Sequence, residues 1–101
     1  MYDAFIIARL NSSRLVRKNV MPILDLPMII HLANRVRNSE KVNRVIITTS
    51  TESTDDELEE VSKEYGFDCY RGPLDNLMQR ITDAAIHFDS SNIIEESVFL
   101  L

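Results

Sequence analysis

The chain has 101 residues, 45% hydrophobic and 27% charged, with a formal charge of −5, which fits one globular domain over residues 1–101. The acid excess excludes general affinity for nucleic acid or anionic membrane, and no apolar run approaches the length that spans a bilayer. The start also lacks the charged-then-apolar pattern of a secretory leader, so the expectation is a cytoplasmic protein.

Asp3 to Ala8 (D-A-F-I-I-A) is a near-continuous apolar run, the pattern of a strand buried on both faces of a parallel sheet. A polar, basic loop follows as far as Asn19. Met21 to Leu24, marked by Pro22 and Pro27, reads as no more than an extended connector. From Pro27 to about Arg37, Ile29, Leu32, Ala33 and Val36 fall at helical spacing, with Arg35 and Arg37 at the negative end of the dipole. His31 lies on this helix and reads as packed or solvent-facing.

Asn43 to Ser50 is a second strand rich in β-branched residues, ending in the hydroxyls of Thr48, Thr49 and Ser50. A helix is expected from a capping box, Thr54-x-x-Glu57, with Leu58, Val61 and Tyr65 inward and Gly66 as its stop. Its acids Asp55, Asp56, Glu57, Glu59 and Glu60 read as a solvated face. Phe67 to Arg71 alternates as a short third strand, broken by Gly72-Pro73. The lone Cys69 in it cannot form an internal disulfide and reads as a small buried apolar side chain. A third helix starts after Asp75 as cap and carries an apolar stripe of Leu77, Met78, Ile81, Ala84, Ala85 and Phe88. Ser97 to Leu101 reads as the beginning of one more strand. Alternation of strands and helices predicts a three-layer α/β/α arrangement around a mainly parallel sheet.

Chemistry concentrates in the loop after the first strand. Between Asp3 and Asp25 no acid occurs, while Arg9, Arg14, Arg17 and Lys18 do, interleaved with Asn11, Ser12, Ser13 and Asn19. Guanidinium forks, hydroxyls and backbone N–H groups leaving the carboxyl end of a strand form a pocket for phosphate or carboxylate oxygens. The alternative is a solvated basic loop with no ligand. The stretch is neither a Walker A motif nor a dinucleotide fingerprint, since it contains no glycine.

Arg9-Leu10-Asn11-Ser12-Ser13-Arg14-Leu15-Val16-Arg17-Lys18 resembles the R-x-G-S-S-R-L-x-x-K loop of the cytidylyltransferases that activate acidic sugars. The branch resembled is that of spore-coat polysaccharide biosynthesis protein F, beside the acylneuraminate and ketodeoxyoctonate cytidylyltransferases. Met21-Pro22-Ile23-Leu24, Pro27, Val45 to Ser50, Tyr70-Arg71-Gly72 and Asp75-Asn76-Leu77 extend the likeness over residues 4 to about 88. Asn11 stands where the family usually has glycine, and Asp25-Leu26 where it usually has Gly-Lys.

The resemblance implies a Rossmann-like nucleotidyltransferase sheet of the GT-A-like kind, apparently incomplete. It further implies transfer of CMP from CTP to an acidic sugar with release of pyrophosphate, for surface polysaccharide biosynthesis. On it, Ala8, Arg9, Asn11, Ser12, Ser13, Arg14, Lys18, Thr49, Ser50, Arg71 and Gly72 line the nucleotide pocket. Arg14 and Lys18 offset charge on the leaving pyrophosphate. It also implies Mg2+, held by an aspartate beyond Leu101, so that this chain carries mainly the CTP-binding half. No spacing of His, Cys, Asp and Glu suggests a metal site of its own. Two other readings stay open: a module that binds a nucleotide or sugar phosphate without turnover, and an oligomerising fragment without activity. An unfinished sheet edge leads us to expect a homo-oligomer.

Overall fold

A computed structural model describes residues 2–8, 20 and 22–97, with the backbone alone for 95–97. In chain order the elements are β1 (Tyr2–Ile7), β2 (Pro22–Ile23), β3 (Leu26–Pro27), α1 (Met28–Arg37) and β4 (Val42–Ser50). A short 3-10 turn (Ser53–Asp55), α2 (Asp56–Glu64), β5 (Asp68–Gly72), α3 (Leu77–His87) and β6 (Ile93–Ser97) follow. The main sheet runs β5-β4-β1-β6, every neighbouring pair parallel.

Helices cover both faces of this sheet, which explains the unbroken apolar runs. Along β1 and β4 successive side chains enter different cores, because side chains of a strand alternate between faces. Ala4, Ile6, Val45 and Ile47 pack with Ile29, Ile30, Leu32 and Ala33 of α1 and Leu58 and Val61 of α2. Phe5 and Ile46 point the other way, onto Ile81 and Ala84 of α3. The expected three-layer α/β architecture with a parallel sheet is therefore present.

Several boundaries differ from expectation, each for a local reason. The connector at 21–24 is half of a hairpin, with Pro22 paired to Pro27 and Ile23 to Leu26. Leu24 (φ 51°) and Asp25 (φ 69°) form its two-residue turn, and both adopt the left-handed conformation that such hairpin turns require. A glycine at position 25, usual in the resembling family, meets that demand directly; aspartate is among the few other residues that tolerate it. His31 Nε2 lies 2.5 Å from the Ile23 carbonyl oxygen and ties the hairpin to α1.

The expected helix start at Thr54 falls inside the 3-10 turn, and α2 proper begins at Asp56. Gly66 (φ 80°) ends the helix as expected, with Phe67 N–H returning to the Ser62 carbonyl. The cap of α3 is Asn76, not Asp75: its side chain accepts from Gln79 N–H at 3.0 Å. The last strand begins at Ile93, earlier than expected. Its ladder with β1 runs from Asp3↔Ile93 to Ile7↔Ser97 and includes Glu95 and Glu96, a residue type depleted in strands; positions 98–101 of the expected strand lie outside the described residues.

At the amino end of the sheet, Asp3 is buried and joins three elements. Its carboxylate accepts from Asn43 Nδ2 (3.3 Å) and Arg44 Nε (3.1 Å) on β4 and from the Ser90 hydroxyl after α3. Arg44 also donates to the Phe88 carbonyl and lies over the Phe88 ring, 5.2 Å from its centroid. Burial alone would raise the Asp3 pKa; the hydrogen bonds from Ser90, Asn43 and Arg44, with the charge of Arg44, outweigh it and hold the pKa below its usual value.

Candidate nucleotide site

Parallel pairing places the ends of three strands side by side. Thr49 is level with Arg71 and Ser50 with Gly72 across the β4–β5 ladder, while Ala8 N–H donates to the Thr48 carbonyl at 3.0 Å. The chain steps from β1 to β4 and β5 on one side and returns to β6 on the other. β1 is therefore where the strand order reverses, and the basic loop leaves from its carboxyl end. Ligands of open α/β sheets bind in the crevice outside such a point. Of the residues singled out in the sequence, Ala8, Thr49, Ser50, Arg71 and Gly72 come together here. Arg9, Asn11, Ser12, Ser13, Arg14 and Lys18 lie outside the described residues.

The described members are mostly occupied by the protein itself. The Ser50 hydroxyl is fully buried, donates to the Asp55 carboxylate and accepts from Glu52 N–H at 3.1 Å. Asp55, expected on a solvated face, is 1% exposed. Arg71 donates from Nε to the Ser50 carbonyl (2.7 Å) and from Nη2 to the Glu52 carbonyl (2.8 Å). Its Nη1 lies 2.9 Å from Asp56 and 3.5 Å from Glu59, so these two acids also belong to a network. Burial works against the Arg71 charge, but Asp56 and then Glu59 outweigh it and hold the pKa above its ordinary value.

Thr49 is fully buried and its hydroxyl has no hydrogen-bond partner among the described residues. By alternation from Val45 and Ile47 it faces the α1–α2 side. A buried hydroxyl without a partner costs stability, whereas valine fills the same volume without that cost. Thr49→Val is therefore expected to leave urea stability unchanged or to raise it by up to about 1 kcal/mol. A loss larger than that would show the hydroxyl to be bonded in solution.

Gly72 is held for a packing reason: a Cβ there would lie 2.7 Å from Cγ of Arg80 and 3.1 Å from its Cβ. The Arg80 side chain thus crosses the end of β5 and is buried at 4% exposure. Sequence reading passed over Arg80, as it did the buried role of Asp55. The signal for Arg80 was its spacing, since it precedes Ile81 by one and Ala84 by four, the two apolar residues of the helix face that turns inward. Cys69 is half-buried, and its thiol is pushed up to about 11 chiefly by burial, in keeping with a packing role.

Among the described residues no group of His, Cys, Asp and Glu is arranged to hold a metal ion, and no helix is long and apolar enough to cross a membrane. Asp55, Asp56 and Glu59, which follow the carboxyl end of β4, are engaged by Ser50 and Arg71. A divalent ion thus does not fit these residues alone.

Known proteins agree with this geometry. Over 61 residues the chain is 44% identical to a 3-deoxy-manno-octulosonate cytidylyltransferase of a Nitratiruptor species, covering 60% of this chain and 23% of that protein. The solved structure of a cytidylyltransferase from Leptospira borgpetersenii serovar Hardjo-bovis is similar, with a TM-score of 0.88 and 30% identity. The match covers 95% of this chain and 40% of that one. The fold is also that of a CMP:2-keto-3-deoxy-manno-octonic acid synthetase solved in complex with CTP (TM-score 0.80, 23% identity, 96% of this chain and 40% of that one). The chain thus spans well under half the length of these relatives. The family described as cytidylyltransferase matches residues 4–98, a span that takes in the basic loop, most of β1 and the other three strands of the main sheet, and the chain belongs to that family.

Proposed function

We propose that the chain contributes the CTP-binding part of an enzyme that transfers CMP from CTP to an acidic sugar, releasing pyrophosphate, for surface polysaccharide biosynthesis in the cytoplasm. The observation that carries this reading is the junction of a loop bearing four cations and no acid with the point where the strand order reverses. Arg9, Ser12, Ser13, Arg14 and Lys18 hold the phosphates, and Ala8, Asn11, Thr49, Ser50, Arg71 and Gly72 border the nucleotide.

Nucleotidyl transfer requires the triphosphate to be held, its charge offset, and the acceptor oxygen aligned opposite the leaving pyrophosphate. Arginine contributes bidentate contact and lysine a point charge, so Arg14 and Lys18 stabilise negative charge as it grows on the pyrophosphate. Magnesium is the divalent ion we assign to the family reaction, where it neutralises phosphate charge. No step here runs through a ligand for it in this chain. We further propose that the chain works as a homo-oligomer, with the edge of β6 covered by another copy.

The test is direct. CTP should raise the melting temperature of the chain by mass action, more than equal uridine or guanosine triphosphate. Pyrophosphate release with 3-deoxy-manno-octulosonate as acceptor, dependent on added magnesium, then tells transfer from binding alone. No thermal shift with CTP at millimolar concentration would refute the nucleotide reading.

A further inference from the structure

Arg71 borders the proposed site, yet its guanidinium is turned into the protein. One side chain grips the carbonyls of Ser50 and Glu52, two residues apart, and reaches both Asp56 and Glu59 on the first turn of α2. The side chain is 17% exposed. Around it the chain from Ser50 to Asp55 is closed by further bonds: Thr51 N–H to the Gly72 carbonyl (3.1 Å), Asp55 N–H to the Glu52 carbonyl (2.9 Å), and the Ser50 hydroxyl to Asp55. A planar fork that satisfies two carbonyls and two carboxylates fixes the direction in which a strand hands over to a helix.

We propose that Arg71 is a positioning residue, which sets the turn from Ser50 to Asp55 at the rim of the nucleotide pocket and does not itself contact the nucleotide. The inference rests on the CTP reading above for the nature of the ligand. Asp56 and Glu59 are part of the same device, since they hold the fork in place from α2. A contact residue would behave otherwise: releasing a cation from two acids frees it for the phosphates and should strengthen binding.

Three variants of the chain decide between these roles: Arg71→Ala, Arg71→Lys, and the double variant Asp56→Ala with Glu59→Ala. Two measurements apply to each, amide exchange at Thr51, Glu52 and Asp55 without ligand, and CTP affinity by calorimetric titration. Arg71→Ala should speed exchange at these amides at least tenfold and weaken CTP binding about five- to tenfold. Arg71→Lys should do nearly the same, because an ammonium cannot replace the fork. The double variant, which keeps the Arg71 charge, should also weaken CTP binding, about two- to threefold. Stronger CTP binding in the double variant, or binding retained by Arg71→Lys, would make Arg71 a ligand contact and overturn the proposal. Faster exchange with unchanged CTP affinity would leave it a purely structural clamp and overturn it as well. A parent chain that binds no CTP would refute the function itself, a result visible before any variant is made and separate from the exchange data.

Discussion

Replacing Arg14 or Lys18 by alanine should weaken CTP binding by about 1.5 to 3 kcal/mol, the scale of a hydrogen bond to a charged group, with little change in thermal stability. The physical ground is the isolation of the loop's charge. From Ala4 to Leu24 the sequence holds four cations and no acid, so the side chains have no opposite charge nearby in sequence and repel one another. Their benefit appears when an anion arrives. CTP or pyrophosphate should thus raise the melting temperature of the parent and do less for either variant, and added salt should blunt the difference. Calorimetric titration and thermal melts of the same preparations supply both halves of the test. Variants that melt well below the parent, yet show the same ligand-induced shift, would identify these side chains as internal ion-pair partners.

Asp3→Ala should have the opposite signature: a large loss of stability with no selective effect on the ligand. Its carboxylate is buried and accepts from Asn43, Arg44 and Ser90, so removal takes away the acceptor that ties β1 to β4 and to the segment after α3 and leaves a cavity in its place. We expect about 2 to 3 kcal/mol, at the scale of charge-assisted hydrogen bonds, and a melting temperature lower by roughly 10 °C or more. The upper end is restrained because the Arg44 side chain is 36% exposed and its charge is partly screened by water.

Acid should erase the difference between parent and variant. The Asp3 pKa is lowered in the folded state from its model-compound value of 3.8, so the folded protein binds this proton more weakly than the unfolded chain. Its stabilising effect is therefore full above the unfolded value and is lost as pH falls through the lowered folded one. Urea midpoints of parent and Asp3→Ala should differ most near neutrality and converge from about pH 4 downward. A gap that persists undiminished at pH 2 would mean that Asp3 acts by shape alone.

The main strands and helices were legible because their apolar periodicity is strong. The run Asp3 to Ala8, the β-branched stretch ending in Thr48-Thr49-Ser50, and the stripes of the three helices each state their element; on α3, however, Ile81 and Ala84 turn inward while Leu77 and Met78 of the expected stripe are exposed. That the strands neighbour one another in a parallel sheet also follows from their alternation with helices; their order, with β1 between β4 and β6, came only from the structure. The basic loop was legible for a different reason: a cluster of one charge sign in an acidic chain shows in the sequence without any fold.

What the sequence left undecided is the work done by individual polar groups, because that depends on neighbours distant along the chain. Asp3 meets Ser90 only when β6 pairs beside β1, and Arg71 meets Glu52, Asp56 and Glu59 only when β5 lies beside β4. No local pattern marks Asp55 as buried or the Thr49 hydroxyl as unpartnered among the described residues; both follow from the depth of the carboxyl end of β4 beneath its neighbours. The hairpin at Leu24 and Asp25 went unread because its strands are two residues long and its turn lacks the usual Asn-Gly. Periodicity along the chain thus determined the layers and the position of the cationic loop, since it records local burial. Only the tertiary structure decided which arginine is spent on the fold and which glycine makes room for a side chain, since those depend on long-range contacts.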